Sequence, residues 1–345
     1  MLRDKRKGLF KGITIENAVI DVGYFSPFVP PEWIAAHGLR PVWLRLDRTR
    51  AHTGDVAKRG ICPCAGTLIS QAASGSTPRV LVLTTCCDQM RYAFAYLGTV
   101  TDLPAFLMNI PSTWQSSQVR EFYRNELERM GRFLVQAGGR EPTSEQVLAI
   151  VEQYDAQRAS AFESRSRMSA GQWAQTLVEL RGDLATNIVE TEPPPADEGI
   201  PLALIGGPLL ADDDSFLEMV ECAGGRIVVD ATEGGERTMP ARVDRSHLKD
   251  DPMDELVRMY FDTIPDVFRR PNTRLYQWLG NQVSAWAVRG IILRRYPFCD
   301  LWHAELHRLR QSIDMPVLDI DVGVSDGGEE SRTLGRIEAF LEMLR

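Results

Sequence analysis

Arg295-Tyr296-Pro297-Phe298-Cys299-Asp300-Leu301-Trp302 is a strand-to-helix junction with a thiol at the turn. Before it, Gly290-Ile291-Ile292-Leu293-Arg294 is a short apolar run of the buried-strand kind. After it, Leu301, Leu306 and Leu309 recur at helical spacing among charged residues. A thiol at such a junction faces the free N–H groups of a helix start, which favour the thiolate, the form that binds metal.

The same arrangement occurs earlier in the chain. Arg79-Val80-Leu81-Val82-Leu83-Thr84-Thr85 is an apolar run, Cys86-Cys87-Asp88 follows it, and a helical segment runs from Gln89 to Leu97. Pro104 lies seventeen residues after Cys87, and Pro316 lies seventeen residues after Cys299. Each proline opens another strand-like run, Ala105–Ile110 and Val317–Ile320. Two copies of one α/β unit are expected, each offering a cysteine at the mouth of a helix.

Working outward, Ile20–Phe25 reads as a first strand and Pro41–Leu46 as a second. Between them lies a helix that Pro31 starts and Gly38 stops. That order predicts parallel sheets with right-handed crossovers. A further thiol pair, Cys62-Pro63-Cys64, precedes a helical stretch to Ala73. From Ser112 to Asn187 the pattern turns helical, with Val119, Phe122, Tyr123, Leu127, Met130 and Leu134 forming one stripe that Gly138-Gly139 ends. Pro193-Pro194-Pro195 marks a linker. Pro201–Gly206, Arg226–Asp230 and the Cys299 unit then build a second sheet. We expect a first α/β lobe over residues 1–111, a helical insert and linker over 112–198, and a second α/β lobe over 199–345.

Composition narrows the function. With 345 residues and 44% hydrophobic side chains, the chain can bury a full core in each of two lobes. A net charge of −8 argues against a nucleic-acid or anionic-membrane surface. No apolar run approaches the roughly 20 residues of a membrane span. Met1–Lys7 lacks the apolar region of a secretory signal, and six cysteines in a chain this long suggest reduced thiols, so a cytoplasmic location is expected. No Walker A sequence occurs, which argues against ATP hydrolysis by this chain.

In open parallel sheets, ligands gather beyond the carboxyl ends of the strands. Cysteines from three such loops, Cys62 or Cys64, Cys87 with Cys86, and Cys299, can therefore converge in one cleft. Three thiolates form an incomplete set for zinc or a [4Fe–4S] cluster and leave one metal position open. The other reading is that these cysteines are small buried hydrophobes. Cys222, late in a helix, reads as core, and His303 and His307 read as packing and solvated surface. Arg237, after a predicted strand, is placed to hold a phosphate or carboxylate, or else to be a solvated loop residue. Trp114 and Tyr24, near strand ends, read as core filling rather than as pocket walls.

At these residues the chain resembles the D-component family of 2-hydroxyacyl-CoA dehydratases, which includes the related benzoyl-CoA reductase subunits. The match covers Pro31-Glu32 with Gly38 and Pro41, Cys62-Pro63, Thr85-Cys86-Cys87-Asp88, Gly206-Gly207-Pro208 and Phe298-Cys299-Asp300. It continues through Met315-Pro316, Asp319-Ile320-Asp321 and the tail from Arg336 to Glu342. The resemblance implies two pseudo-symmetric, Rossmann-like α/β lobes with parallel sheets and a helical insert, and one [4Fe–4S] cluster in the cleft between them. By position its ligands are Cys62, Cys87 and Cys299, with Cys64 and Cys86 as alternates. Relatives with a double cubane carry extra cysteines in the second lobe, where this chain has Asp230-Ala231-Thr232, so a single cubane is implied. The implied activity is ATP-activated radical chemistry on an acyl-CoA thioester, through a ketyl radical, in a lyase of the dehydratase type or an oxidoreductase of the benzoyl-CoA reductase type. The implied partners are a homologous subunit, as homodimer or heterodimer, and a separate ATP-hydrolysing iron–sulfur activator. The alternative role is a non-catalytic subunit that relays electrons or completes the complex.

Overall fold

The computed structural model describes residues 19–50, 60–184, 199–322 and 329–345. The predicted Pro193–Pro195 linker and the Met1–Lys7 start lie outside the described residues. Two four-stranded sheets carry the fold, and every strand pair in them is parallel. The first contains β1 (Asp21–Tyr24), β2 (Arg40–Trp43), β3 (Val80–Thr84) and β4 (Ala105–Met108), in the order β2-β1-β3-β4. The second contains β5 (Ile200–Gly206), β6 (Gly225–Ala231), β7 (Gly290–Arg295) and β8 (Val317–Asp321), in the corresponding order β6-β5-β7-β8. The inner strands β3 and β7 are buried along their whole length, as expected for parallel strands covered on both faces.

The helices begin and end where local chemistry directs. Pro31 opens α1 (Pro31–Ala36), and Gly38 leaves it with φ +75°. Ser116 caps α4 (Ser117–Gln136) through a 3.4 Å bond from the Val119 N–H. Capping boxes start α5 (Ser144–Ser164) at Thr143 and Gln146, and α6 (Ala170–Glu179) at Ser169 and Gln172. Of the predicted α4 stripe, Tyr123, Leu127, Met130 and Leu134 are fully buried, whereas Phe122 turns to solvent. One residue of offset rotates a helical side chain by about 100°, enough to take it off the buried face.

The remaining helices are α2 (Pro63–Ala73), α3 (Asp88–Val100), α7 (Asp214–Cys222), α8 (Arg245–Asp250), α9 (Pro252–Val257), α10 (Thr273–Ala285), α11 (Asp300–Ser312) and α12 (Glu329–Leu344). None of the described helices is long and apolar enough to cross a membrane. Strand alternation divides the first sheet between two cores. Val22, Tyr24, Val80 and Val82 face one side, and Leu81 and Leu83 face the other with Cys62, Cys64 and Leu68.

The chain then departs from simple lobe order. Leu248, Leu256, Val257, Tyr260, Phe261 and Phe268 pack with Val22 and Val80 of the first sheet. The segment of α8, α9 and the π-helical turn Arg258–Asp262 therefore packs on the first sheet, although it lies between two strands of the second in the chain. The crossing is fastened by a buried triad. Arg158 of α5 donates to Glu32 Oε1 at 2.5 Å and to the Tyr260 hydroxyl at 2.9 Å, and that hydroxyl donates to Glu32 Oε2 at 2.6 Å. Removing one partner would strand a charge in the interior, which typically costs about 3–5 kcal/mol. Arg158→Met is expected to lower the unfolding free energy by about that amount in a denaturant titration, and adding Glu32→Gln is expected to restore part of it. A single variant that unfolds at the wild-type denaturant concentration would show that the triad fastens nothing.

Gly206 ends β5 with φ +154°, in register with Arg294 of β7. A Cβ there would lie 1.8 Å from the Arg294 carbonyl oxygen, and a backbone atom cannot step aside. Gly206→Ala is expected to destabilise the protein by at least about 1–3 kcal/mol. An unchanged melting temperature would contradict this close approach of the two backbones.

Candidate functional site

Beyond the strand ends of both sheets lies a cleft of about 290 Å³. Its wall contains Cys62, Cys64, Cys86 and Cys87 from the first half of the chain and Cys299 from the second. Three of these thiols share one structural position. Cys62 is the N-cap of α2, Cys87 of α3 and Cys299 of α11. Cys62 Sγ accepts from the Ala65 N–H at 3.3 Å, and Cys87 Sγ accepts from the Met90 N–H at 3.4 Å. The Cys299 side chain forms no such cap bond. It follows Phe298, which is half exposed and holds the left-handed conformation at φ 64°. That conformation is uncommon for a bulky residue and is characteristic of functional loops.

The other two thiols are placed differently. Cys64 lies inside the first turn of α2, is 2% exposed and packs with Leu68 and Leu81. Cys86 lies 4.0 Å from Ser26 Oγ and packs against the opposite core of the first sheet. The spacing between Cys62 and Cys87 is fixed by a cross-link, because the Cys62 N–H donates to Gln89 Oε1 at 3.0 Å, at the start of α3.

Burial outweighs the helix starts in setting the thiol chemistry. It pushes Cys62 up to about 11, against the N–H groups that lower it, and pushes Cys87 and Cys299 up to about 12. The helix starts favour the thiolate, as expected, but burial opposes them at all three thiols. Metal coordination deprotonates a thiol outright. Among the described residues, no three His, Cys, Asp or Glu side chains converge to hold a single ion. The thiols are instead distributed around a void. An iron–sulfur cubane takes each cysteine at a separate iron, and thiols on separate helix starts are the donor type it uses.

Two carboxylates in the wall had no signal of their own in the sequence, Glu233 and Asp266. Burial, with the Asp266 charge adding and Arg237 opposing, pushes Glu233 up to about 8. Glu233 follows β6 in the same loop as Arg237, and its only sequence cue is its place before Gly234-Gly235. Arg237 itself does not line the cleft. It is 1% exposed and lies beneath the cleft wall, donating to the carbonyls of Ala231 (2.8 Å) and Pro265 (2.6 Å) and to Asp266 Oδ2 (2.8 Å). Its guanidinium also stacks over Trp302, 5.4 Å from the ring centre. It holds Asp266 in the wall through Nη1, while its Nη2 is buried without a hydrogen-bond partner.

The remaining candidates separate cleanly. Tyr24 fills the core and donates to the Arg181 carbonyl at 2.6 Å. Trp114 lines a different, small cavity, with the Arg274 guanidinium 3.6 Å over its ring. His303 and His307 are exposed on α11. Cys222 is also exposed, which corrects its assignment to the core. The buried face of α7 is Phe216, Leu217 and Val220, and position 222 falls two residues beyond, off that face.

No curated protein matches the chain. The sequence profile of the 2-hydroxyglutaryl-CoA dehydratase D-component family matches residues 27–344, nearly the whole length. That family comprises subunits of dehydratase-type lyases and is generally associated with an iron–sulfur cluster. With its cysteine-capped helices opening on one cleft, the chain belongs to the 2-hydroxyglutaryl-CoA dehydratase D-component family.

Proposed function

We propose that this chain is an iron–sulfur subunit of a 2-hydroxyacyl-CoA dehydratase-type enzyme, with one [4Fe–4S] cluster on Cys62, Cys87 and Cys299. The observation that carries the reading is that these three thiols cap three different helices and open on one cleft. Cys64 and Cys86 also line the cleft but cap no helix, and are kept as alternates. When bound, the cluster would supply single low-potential electrons for chemistry at an acyl-CoA thioester.

The chain's own residues hold and shield. The N–H groups of Ala65 and Met90 stabilise sulfur charge on Cys62 and Cys87. Phe25, Phe268 and Trp302 form an apolar wall that keeps water from the thiols. The open end, rimmed by the exposed Phe298, gives an acyl group its way in. The family description favours dehydration over ring reduction. It also favours work in a complex, with a homologous subunit and a separate activator that hydrolyses ATP, a task for which this chain has no Walker A sequence. All six cysteines are free, in keeping with a reducing cytoplasm.

Protein purified without oxygen is expected to contain about four iron and about four acid-labile sulfide per chain, with a brown colour that dithionite bleaches. Cys62→Ala, Cys87→Ala and Cys299→Ala are each expected to lose most of that iron, while Cys64→Ala and Cys86→Ala retain it. Iron-free wild-type protein after anaerobic reconstitution would sink the reading. Loss of iron from Cys86→Ala but not from Cys87→Ala would overturn the ligand choice.

A further inference from the structure

The loop after β6 brings to the cleft a carboxylate that the three thiols leave unused. Glu233 lines the same wall, yet its side chain forms no hydrogen bond or ion pair with any described residue. Its neighbours differ. Asp266 is held by Arg237 and by the Phe268 N–H at 2.8 Å, while Asp88 and Asp300 sit exposed at the first turns of α3 and α11. A carboxylate removed from bulk water without a partner is costly to the fold, and such groups are retained where an incoming ligand completes them.

The backbone that carries Glu233 is fixed on both sides. Its N–H donates to the Gly207 carbonyl at 3.4 Å, and its carbonyl accepts from Thr238 Oγ1 at 2.8 Å. Arg181, reaching across from the end of α6, donates to the carbonyls of Gly234 (2.7 Å) and Gly235 (2.9 Å). Gly235 allows the turn to close, since a Cβ there would lie 2.3 Å from the Asp230 carbonyl oxygen. A rigid loop therefore presents a free carboxylate, and its charge is felt at Cys62, Cys64, Cys86, Cys87 and Cys299. The sheet order places it as the counterpart of a ligand. Cys87 follows β3 as Cys299 follows β7, and Glu233 follows β6 as Cys62 follows β2.

We propose that Glu233 supplies the fourth donor to the cluster, one carboxylate oxygen binding the iron that no cysteine reaches. This rests on the assignment of the cluster to Cys62, Cys87 and Cys299. Ligation forms one iron–oxygen bond and releases the water held at that iron, together with the carboxyl proton where Glu233 carries one. No electron is transferred. Any other oxygen ligand that reaches this iron has to displace the carboxylate, so Glu233 governs access to the open corner of the cluster.

The test compares the full-length, anaerobically reconstituted wild type with Glu233→Gln and Glu233→Ala. All three are expected to take up about four iron per chain, because the thiols remain. On limited oxidation with ferricyanide, the electron paramagnetic resonance signal of a [3Fe–4S] product is expected to appear about tenfold faster in both variants, in line with loss of a metal-supporting group. Added acetate is expected to slow that loss in Glu233→Ala and not in the wild type. In the metal-free state, both variants are expected to melt at or above the wild-type temperature, since the carboxylate removed forms no hydrogen bond or ion pair with the described residues. Equal rates of iron loss in all three proteins would overturn the role of Glu233 while leaving the three-cysteine assignment intact. A wild type that takes up no iron would overturn both. Lower melting temperatures in both metal-free variants would make Glu233 a structural residue and overturn the proposal.

Discussion

A parallel strand can be continued only by a crossover that leaves from its carboxyl end, and every strand pair in both sheets obeys that constraint. All the loops that follow strands therefore emerge on one edge of each sheet, and the helices that return along the sheet begin there. Cys62, Cys87 and Cys299 stand where those helices begin, two from one sheet and one from the other. No single element makes the site. It exists because the two sheets present their carboxyl edges to a common space, and the helix starts bring backbone N–H groups to the same place.

What holds the edges together is polar and buried. Arg48 pairs with Asp212 and Asp213, and Asp213 in turn receives Arg294 and the Tyr296 hydroxyl from the end of β7. Arg181 spans a second junction, with its carbonyl on Tyr24 and its guanidinium on Gly234, Gly235 and Thr238. The Arg158–Glu32–Tyr260 triad fastens the third. Such networks are weak contributors to net stability and strong determinants of geometry, because each member has one place where its charge is satisfied. Tyr296 and Glu233, both in the cleft wall, hang from two of these networks.

Inside the cleft two effects oppose one another at the thiols. A helix start stabilises a nearby negative charge by about 0.3–1 kcal/mol, whereas desolvation moves Cys62 from 9.0 to about 11. Desolvation wins, because each tenfold change in protonation corresponds to about 1.4 kcal/mol. Burial thus raises the thiols of the cleft and the nearby Glu233 together.

The sequence by itself determined the strands, the order of sheet and helix, and the cysteines at helix starts. Those features depend on neighbours a few residues away: apolar runs such as Val80–Leu83 and Ile291–Leu293, a proline or glycine at a helix end, a Cys-Asp pair between strand and helix. Where the signal needed a distant partner, sequence reading failed. Glu32 meets Arg158 and Tyr260 across 126 and 228 residues, and Leu256 to Phe268 cross back onto the first sheet with no local mark of doing so. Arg237 read equally as an anion holder or a solvated loop residue, because its partners, Pro265 and Asp266, come from another loop. Cys222 read as core because its helix face is decided by what packs on α7. Only tertiary structure gathered the five thiols into one cleft wall, and only it brought Glu233 to them. Burial and side-chain direction are properties of the space between elements, and a linear pattern records only the elements themselves.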